Sequence, residues 1–289
     1  MSFRTIVIQK QSKLSYKNNY LVIRADDVKL IHLSEIDTVI VDTTMVSITA
    51  YLICELIKRK VSIIFCDEKH HPHAEVLSIY GSHNTSKKVL QQTKWQDNIR
   101  EAVWTCIIKQ KIYNQAQVLR RFEREEYEQL LCYSLQVCAG DVTNREGHAA
   151  KVYFHALFGM DFSRDLISPI NAALDYGYSL VLALINREVV ANGYLTQIGI
   201  GHKNEFNYYN LSCDLMEPLR AIIDEYVFRT LPKEMTSNIK LELINLLNKE
   251  VKYEESNYYL NNATSIYVKN TLQCITEQKV QELQFITWS

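Results

Sequence analysis

At 289 residues with 47% hydrophobic content, the chain has material for one large domain or two ordinary ones, each with a real core. A formal net charge of −1, from 32 Lys and Arg against 33 Asp and Glu, excludes a globally basic nucleic-acid binder, so any such function has to rest on local charge. The seven cysteines form no C-x-x-C pair, which argues against a disulfide framework or a zinc knuckle, and no apolar run has the length of a signal peptide core or a membrane span, so the expected location is the cytoplasm.

Residues 1–80 read as a β-rich domain. Runs heavy in Val and Ile at 5–8, 21–24, 30–33, 38–41, 61–66 and 75–79 are expected strands. A helix over 47–58 interrupts them, with Ile48, Tyr51, Leu52, Leu56 and Ile57 on one face and Lys58, Arg59 and Lys60 closing it against the negative end of the helix dipole. The strands present Ile6, Ile8, Leu21, Ile23, Ile31, Val39 and Val41, more apolar surface than one small sheet covers, so a second sheet or a second chain has to bury it.

Gly81, Ser82, Asn84, Thr85 and Ser86 make 81–86 the expected linker. From 87 to 289 the pattern is helical: a first long helix carrying Trp104, Ile108, Ile112, Leu119 and Phe122, then stretches at 124–137, 145–158, 170–186, 215–229, 239–248 and 265–276. The expected class is α+β, a β-sandwich-like domain with one helix followed by an all-α domain. The basic residues concentrate between 86 and 125, where nine Lys and Arg stand against four acids. No phosphate-loop or dinucleotide fingerprint occurs, so no nucleotide cofactor is implied.

Glu146, His202, Asp214 and Glu217 form a candidate divalent-metal site: hard oxygen donors and one imidazole, with no thiolate among them, suit Mg²⁺ or Mn²⁺ better than structural zinc. Each residue also has a plainer reading. Thr143 and Glu146 fit a helix capping box, Asp214 and Glu217 an acidic helix start ahead of Pro218, and His202 a loop histidine bonded to backbone. On one continuous helix, Asp214, Glu217 and Asp224 would share a face, their repulsion relieved by a bound cation or by Arg220.

Glu146-Gly147 with Tyr153-Phe154, Ile170-Asn171-Ala172-Ala173-Leu174 with Tyr176-Gly177-Tyr178-Ser179, Ile198-Gly199 before His202, and Asp214-Leu215-Met216-Glu217-Pro218 with Arg220 and Asp224 carry a specific resemblance. Together they resemble the CRISPR-associated integrase of the spacer-acquisition complex, the first-numbered Cas endonuclease. The compact size and central block look like members of type II systems.

The resemblance implies a dimerising β-domain, a linker and an all-helical catalytic domain, with Glu146, His202 and Glu217 binding the catalytic ion and Asp214 beside them. Glu217 stands where many relatives have aspartate, and Asp175 where asparagine is frequent. Asn171, Tyr178 and Arg220 are accessory candidates; for Asn171 and Tyr178 the alternatives are a buried amide and a core tyrosine.

It further implies a reaction in which the 3′-hydroxyl of a short foreign DNA attacks a backbone phosphodiester of the CRISPR repeat, a transesterification that needs no nucleotide hydrolysis. Lys87, Lys88, Lys94, Arg100, Lys109 and Lys111 would contact phosphates of the double-stranded DNA, or else form a solvated helix face. The implied partners are a second copy of the chain, a small ferredoxin-like protein, the second-numbered Cas protein, and type II accessory proteins; no membrane is involved. Two alternatives remain: a stand-alone metal-dependent nuclease, and a non-enzymatic DNA-binding assembly module.

Overall fold

The computed structural model describes residues 4–68, 72–79 and 82–288. The chain divides into two compact units, Met1–Gly81 and Ser82–Ser289. Among the described residues no helix is long and apolar enough to cross a membrane.

The first unit contains β1 (Arg4–Ile8), β2 (Ser12–Lys17), β3 (Tyr20–Arg24), β4 (Val28–His32), β5 (Ile36–Val41), β6 (Val46–Ile48), α1 (Ala50–Lys58), β7 (Ser62–Cys66) and β8 (Pro72–Glu75). One sheet has the order β1-β5-β7-β8, parallel except for β8; the other has β4-β3-β2-β6, with β6 parallel to β2. The hairpin between β2 and β3 turns through Asn18 and Asn19, both at positive φ (48° and 66°), a conformation that asparagine tolerates and a two-residue hairpin requires.

Leu14, Leu21 and Ile23 of one sheet, Ile8, Val39, Val41 and Ile63 of the other, and Leu52 and Leu56 of α1 close a single core, with Ile6 and Ile31 packed against it. A second sheet of the same chain therefore covers the strand surface that the sequence left open to either a sheet or a second chain. Strands β2 and β6 were not expected. Ser12–Lys17 reads as a polar stretch, yet Ser12 and Leu14 alternate inward while Lys13 and Lys17 face solvent.

The second unit contains α2 (Thr85–Gln92), α3 (Asp97–Arg121), α4 (Tyr127–Gln136), α5 (Arg145–Phe158), α6 (Pro169–Ala191), α7 (Asn210–Met216), α8 (Arg220–Thr230), α9 (Ser237–Asn245), β9 (Glu250–Tyr253), β10 (Ser256–Tyr259), α10 (Leu260–Glu277) and β11 (Ile286–Thr287). Part of the expected linker is helical, since α2 begins at Thr85; Gly81 lies outside the described residues. The unit is not all-α, because β10-β9-β11 form an antiparallel sheet. Val251 and Tyr253 are buried and Lys252 exposed, a two-residue period too short to stand out between charged neighbours.

Helices α3 and α6 run through the middle of this unit. Buried residues of α6 include Ala173, Leu174, Tyr176, Leu180, Leu184 and Val189, enough to bury it on several sides against α7, α8, α9 and α10. The expected helix at 215–229 is broken: α7 ends at Met216, a 3₁₀ turn spans Glu217–Leu219, and α8 resumes at Arg220. Pro218 has no N–H for the helical ladder. Its own carbonyl, turned aside by the break, accepts from Asn114 Nδ2 of α3 at 2.7 Å.

Candidate active site

Glu146 enters the site because other residues cap its helix. Asn144 is the N-cap of α5, accepting from Gly147 N–H at 3.3 Å, while the Asp141 carboxylate takes the N–H groups of Arg145 and Glu146 at 2.9 and 3.0 Å. The capping box with Thr143 is not formed, and the Glu146 side chain is free to accept from Lys111 Nζ at 2.6 Å.

Lys111 also meets Glu217 Oε2 at 2.5 Å, an ion contact without good hydrogen-bond alignment. Arg220 Nε donates to the other oxygen, Oε1, at 3.0 Å. Burial alone would raise the Glu217 carboxyl, but the fields of Arg220 and Lys111 outweigh it and hold it down at about 2. For Lys111, burial works against the charged form and the two glutamates more than offset it, so the ammonium is held above its ordinary range.

His202 arrives on the segment between α6 and α7, which side chains tie down. Gln92 Nε2 donates to the carbonyls of Leu195 and Ile198, Arg100 Nη2 to that of Gly199, and Asn210 Nδ2 to those of Gln197 and Asn204. The wholly buried Asp214 carboxylate gathers the N–H groups of Ile200, Gly201 and His202, and meets His202 Nδ1 at 2.5 Å. Both loop glycines are needed for this closeness: a Cβ at Gly199 would come 2.5 Å from the His202 carbonyl, and one at Gly201 would strike the Trp104 ring.

Trp104 meets the imidazole edge-on, with ring centroids 5.4 Å apart. The hydrogen bond to Asp214 raises the His202 pKa; burial opposes it, and the charges of Asp214, Glu217 and Glu146 add to the rise. Beside His202 opens a cleft of about 320 Å³ lined by Arg100, Lys203, Asn204, Asn207 and Tyr208 among others.

The expected residues separate in three ways. Glu146 and Glu217 meet at one ammonium, and His202 feels the charge of both. Asp214 does not open a helix: it lies within α7, and its oxygens serve the loop and the imidazole. Nor do Asp214, Glu217 and Asp224 share a site, because Asp224 accepts from the buried Tyr178 hydroxyl.

Asn171 and Tyr178 are buried. Asn171 accepts from Arg164 and donates to the carbonyls of Ser163 and Leu166, while the Tyr178 ring lies under the Arg220 guanidinium at 4.6 Å. Lys111, expected on a phosphate-binding surface, is buried between carboxylates, and Arg100 is partly engaged by the Gly199 carbonyl. Lys87, Lys94 and Lys109 are exposed; Lys88 is half-buried, 5.4 Å from the Tyr194 ring.

No three His, Cys, Asp or Glu side chains among the described residues converge closely enough to hold an ion together. The chemistry of the set nevertheless fits one. Two carboxylates from separate elements already hold a cation between them, and an imidazole whose Nδ1 is fixed by Asp214 keeps Nε2 as a donor, the arrangement by which carboxylates orient ligating histidines.

A family described as "CRISPR associated protein Cas1" matches residues 5–252. The chain belongs to the Cas1 family. A relative from Neisseria meningitidis serogroup C (strain 8013), "CRISPR-associated endonuclease Cas1", is 30% identical over 291 residues, covering 98% of this chain and 96% of its own. A "CRISPR-associated endonuclease Cas1 1" from Pyrobaculum aerophilum is 27% identical over 238 residues, covering 76% and 79%.

Among solved structures, a "Casposase bound to integration product" has a TM-score of 0.77 at 19% identity over 96% of this chain and 92% of that one. A chain of a "Cas6-RT-Cas1--Cas2 complex" has a TM-score of 0.75 at 17% identity over 99% of this chain and 36% of that one. At those identities the likeness is one of fold.

In this Cas1-family chain, Lys111 and Trp104 are the site residues that sequence reasoning misplaced or passed over. Arg100, Trp104 and Lys111 recur on α3 at spacings of four and seven, one face of a helix. A lysine among Ile107, Ile108, Ile112 and Ala116, all buried, was the available signal.

Proposed function

We propose that this Cas1-family chain is a divalent-metal-dependent integrase that joins the 3′-hydroxyl ends of short foreign DNA to a CRISPR repeat by transesterification. The observation that carries the reading is the convergence of Glu146 and Glu217, from different helical segments, on one cation beside the tethered His202. Family membership and the casposase fold support it.

In the reaction the incoming 3′-oxygen loses its proton and forms a new P–O bond, while the repeat's scissile P–O bond breaks and its 3′-oxygen gains a proton. Held by Glu146, Glu217 and His202, Mg²⁺ or Mn²⁺ would supply Lewis acidity at a phosphoryl oxygen. Asp214 fixes the imidazole and loop, Arg220 holds Glu217 ionised, and Trp104 walls one side of His202. Lys87, Lys88, Lys94 and Lys109, with Arg100 at the cleft, would contact DNA phosphates.

The neighbouring structure named as a Cas1–Cas2 complex supports a small second-numbered Cas partner, and the wording of the central block supports a type II system with its accessory proteins. A homodimer through the first unit is supported by strand β4, which lies at a sheet edge and exposes Val28 and Leu30. The test is incubation of the protein and its small partner with a short duplex and a repeat-bearing plasmid in Mn²⁺ or Mg²⁺. Covalent joining from hydroxyl ends and none from dideoxy ends is expected. Plasmid nicking without joining in the complete mixture would favour a stand-alone nuclease, and DNA binding without either would favour an assembly module.

A further inference from the structure

The Lys111 side chain is only 11% exposed, and its ammonium touches Glu146 at 2.6 Å and Glu217 at 2.5 Å. A lysine so deep in a protein persists only where it is paired. This one occupies the gap between the two carboxylates, and Arg220 holds the remaining Glu217 oxygen at 3.0 Å. Two carboxylates therefore face two cations, and this cluster is neutral without a metal. In a site of low dielectric, a divalent ion entering such a cluster meets carboxylates already compensated and an ammonium that repels it. Without the ammonium, two neighbouring carboxylates would repel each other and draw the ion in.

Resting on the metal-site reading above, we propose that Lys111 is a resident counter-cation. As a positioning residue it keeps Glu146 and Glu217 together in the ion-free protein and competes with the divalent ion for them. The ion then loads weakly on free protein and more firmly when DNA phosphates bring the negative charge that balances it. A lysine serving only as a strut would behave in the opposite way, since removing it would loosen the carboxylates and weaken ion binding.

The experiment titrates Mn²⁺ calorimetrically into the full-length wild type, Lys111→Met and Glu217→Gln, and records melting of each with and without the ion. Methionine keeps the length of the side chain and removes its charge. The Lys111→Met variant is expected to bind Mn²⁺ about tenfold tighter or more than wild type, and to melt lower when ion-free with recovery on Mn²⁺. An unchanged or weakened Kd would overturn the proposal.

A second measurement on the wild type guards against a variant that does not fold. Amine acylation followed by mass spectrometry is expected to find Lys111 protected in the ion-free protein and more reactive in Mn²⁺, and protection unaltered by saturating Mn²⁺ would also overturn it. Absence of any Mn²⁺ binding that Glu217→Gln removes, in wild type and Lys111→Met alike, would defeat the metal-site reading and the proposal with it. Glu217-dependent binding of equal strength in both would defeat the role of Lys111 alone.

Discussion

Replacing Asp214 by alanine should separate the architecture of the site from its chemistry. Its fully buried carboxylate accepts from three consecutive backbone N–H groups, at residues 200 to 202, and from the His202 ring. Alanine leaves those donors buried without an acceptor. A hydrogen bond to a charged group contributes about 1.5–3 kcal/mol, though bonds sharing one acceptor do not add. Losing a buried ionic partner costs about 3–5 kcal/mol, which is the value expected here. In a unit of this size each kcal/mol lowers Tm by about 2–4 °C, so Asp214→Ala should melt about 6–20 °C below wild type.

Glu146→Ala is the comparison, since that side chain is 25% exposed and its backbone N–H is capped by Asp141. It removes one of the two carboxylates that pair the buried Lys111 and leaves Glu217 in place, so it should melt below wild type by less than Asp214→Ala while losing strand joining. The assay is thermal melting by circular dichroism beside the joining reaction. A fall of less than about 3 °C for Asp214→Ala, with joining intact, would refute the view that this carboxylate builds the loop and holds the histidine.

What could be read from the sequence was set by how local the cause was. Helix α5 spans Arg145–Phe158 as expected, because a capping asparagine and Gly159 frame an amphipathic stretch. Strand β2 is hidden because its burial alternates within a polar run, and Pro218 leaves a helix start and a kink both open, because proline in the first turn of one helix and proline between two helices look alike in sequence. The candidate ligands could be read as residue types, but their partners could not. Lys111 lies 35 residues before Glu146, and although its apolar neighbours on α3 mark it as buried, nothing local names the carboxylates it pairs with. Asp214 binds a loop 12 to 14 residues upstream through backbone groups, which carry no side-chain signature.

Alanine at Glu146, His202 or Glu217 should lower joining and cleavage by on the order of a thousandfold or more; wild-type turnover of the purified variants in Mn²⁺ would remove those residues from the site. DNA affinity should fall steeply with salt, by roughly 2.7 decades between about 50 and 200 mM for about five phosphate contacts. Charge reversal at the exposed Lys87, Lys94 and Lys109 should flatten that slope, and an unchanged slope would clear those lysines of contact with DNA. The last expectation concerns Asp224, whose buried carboxyl is pushed by desolvation from 3.8 up to about 6, against the opposing hydrogen bond from Tyr178 and the charge of Arg220. A raised acid means the folded chain binds its proton more tightly than the unfolded chain. Its stabilising contribution is therefore complete below about pH 4, declines as pH rises toward 6, and is absent above that, a difference on the order of 3 kcal/mol. Asparagine at this position keeps the shape and an acceptor for the Tyr178 hydroxyl but cannot ionise. Relative to wild type, Asp224→Asn should gain stability between pH 5 and pH 8 in urea unfolding, and a wild-type minus variant difference that does not change with pH would show that Asp224 stays ionised throughout.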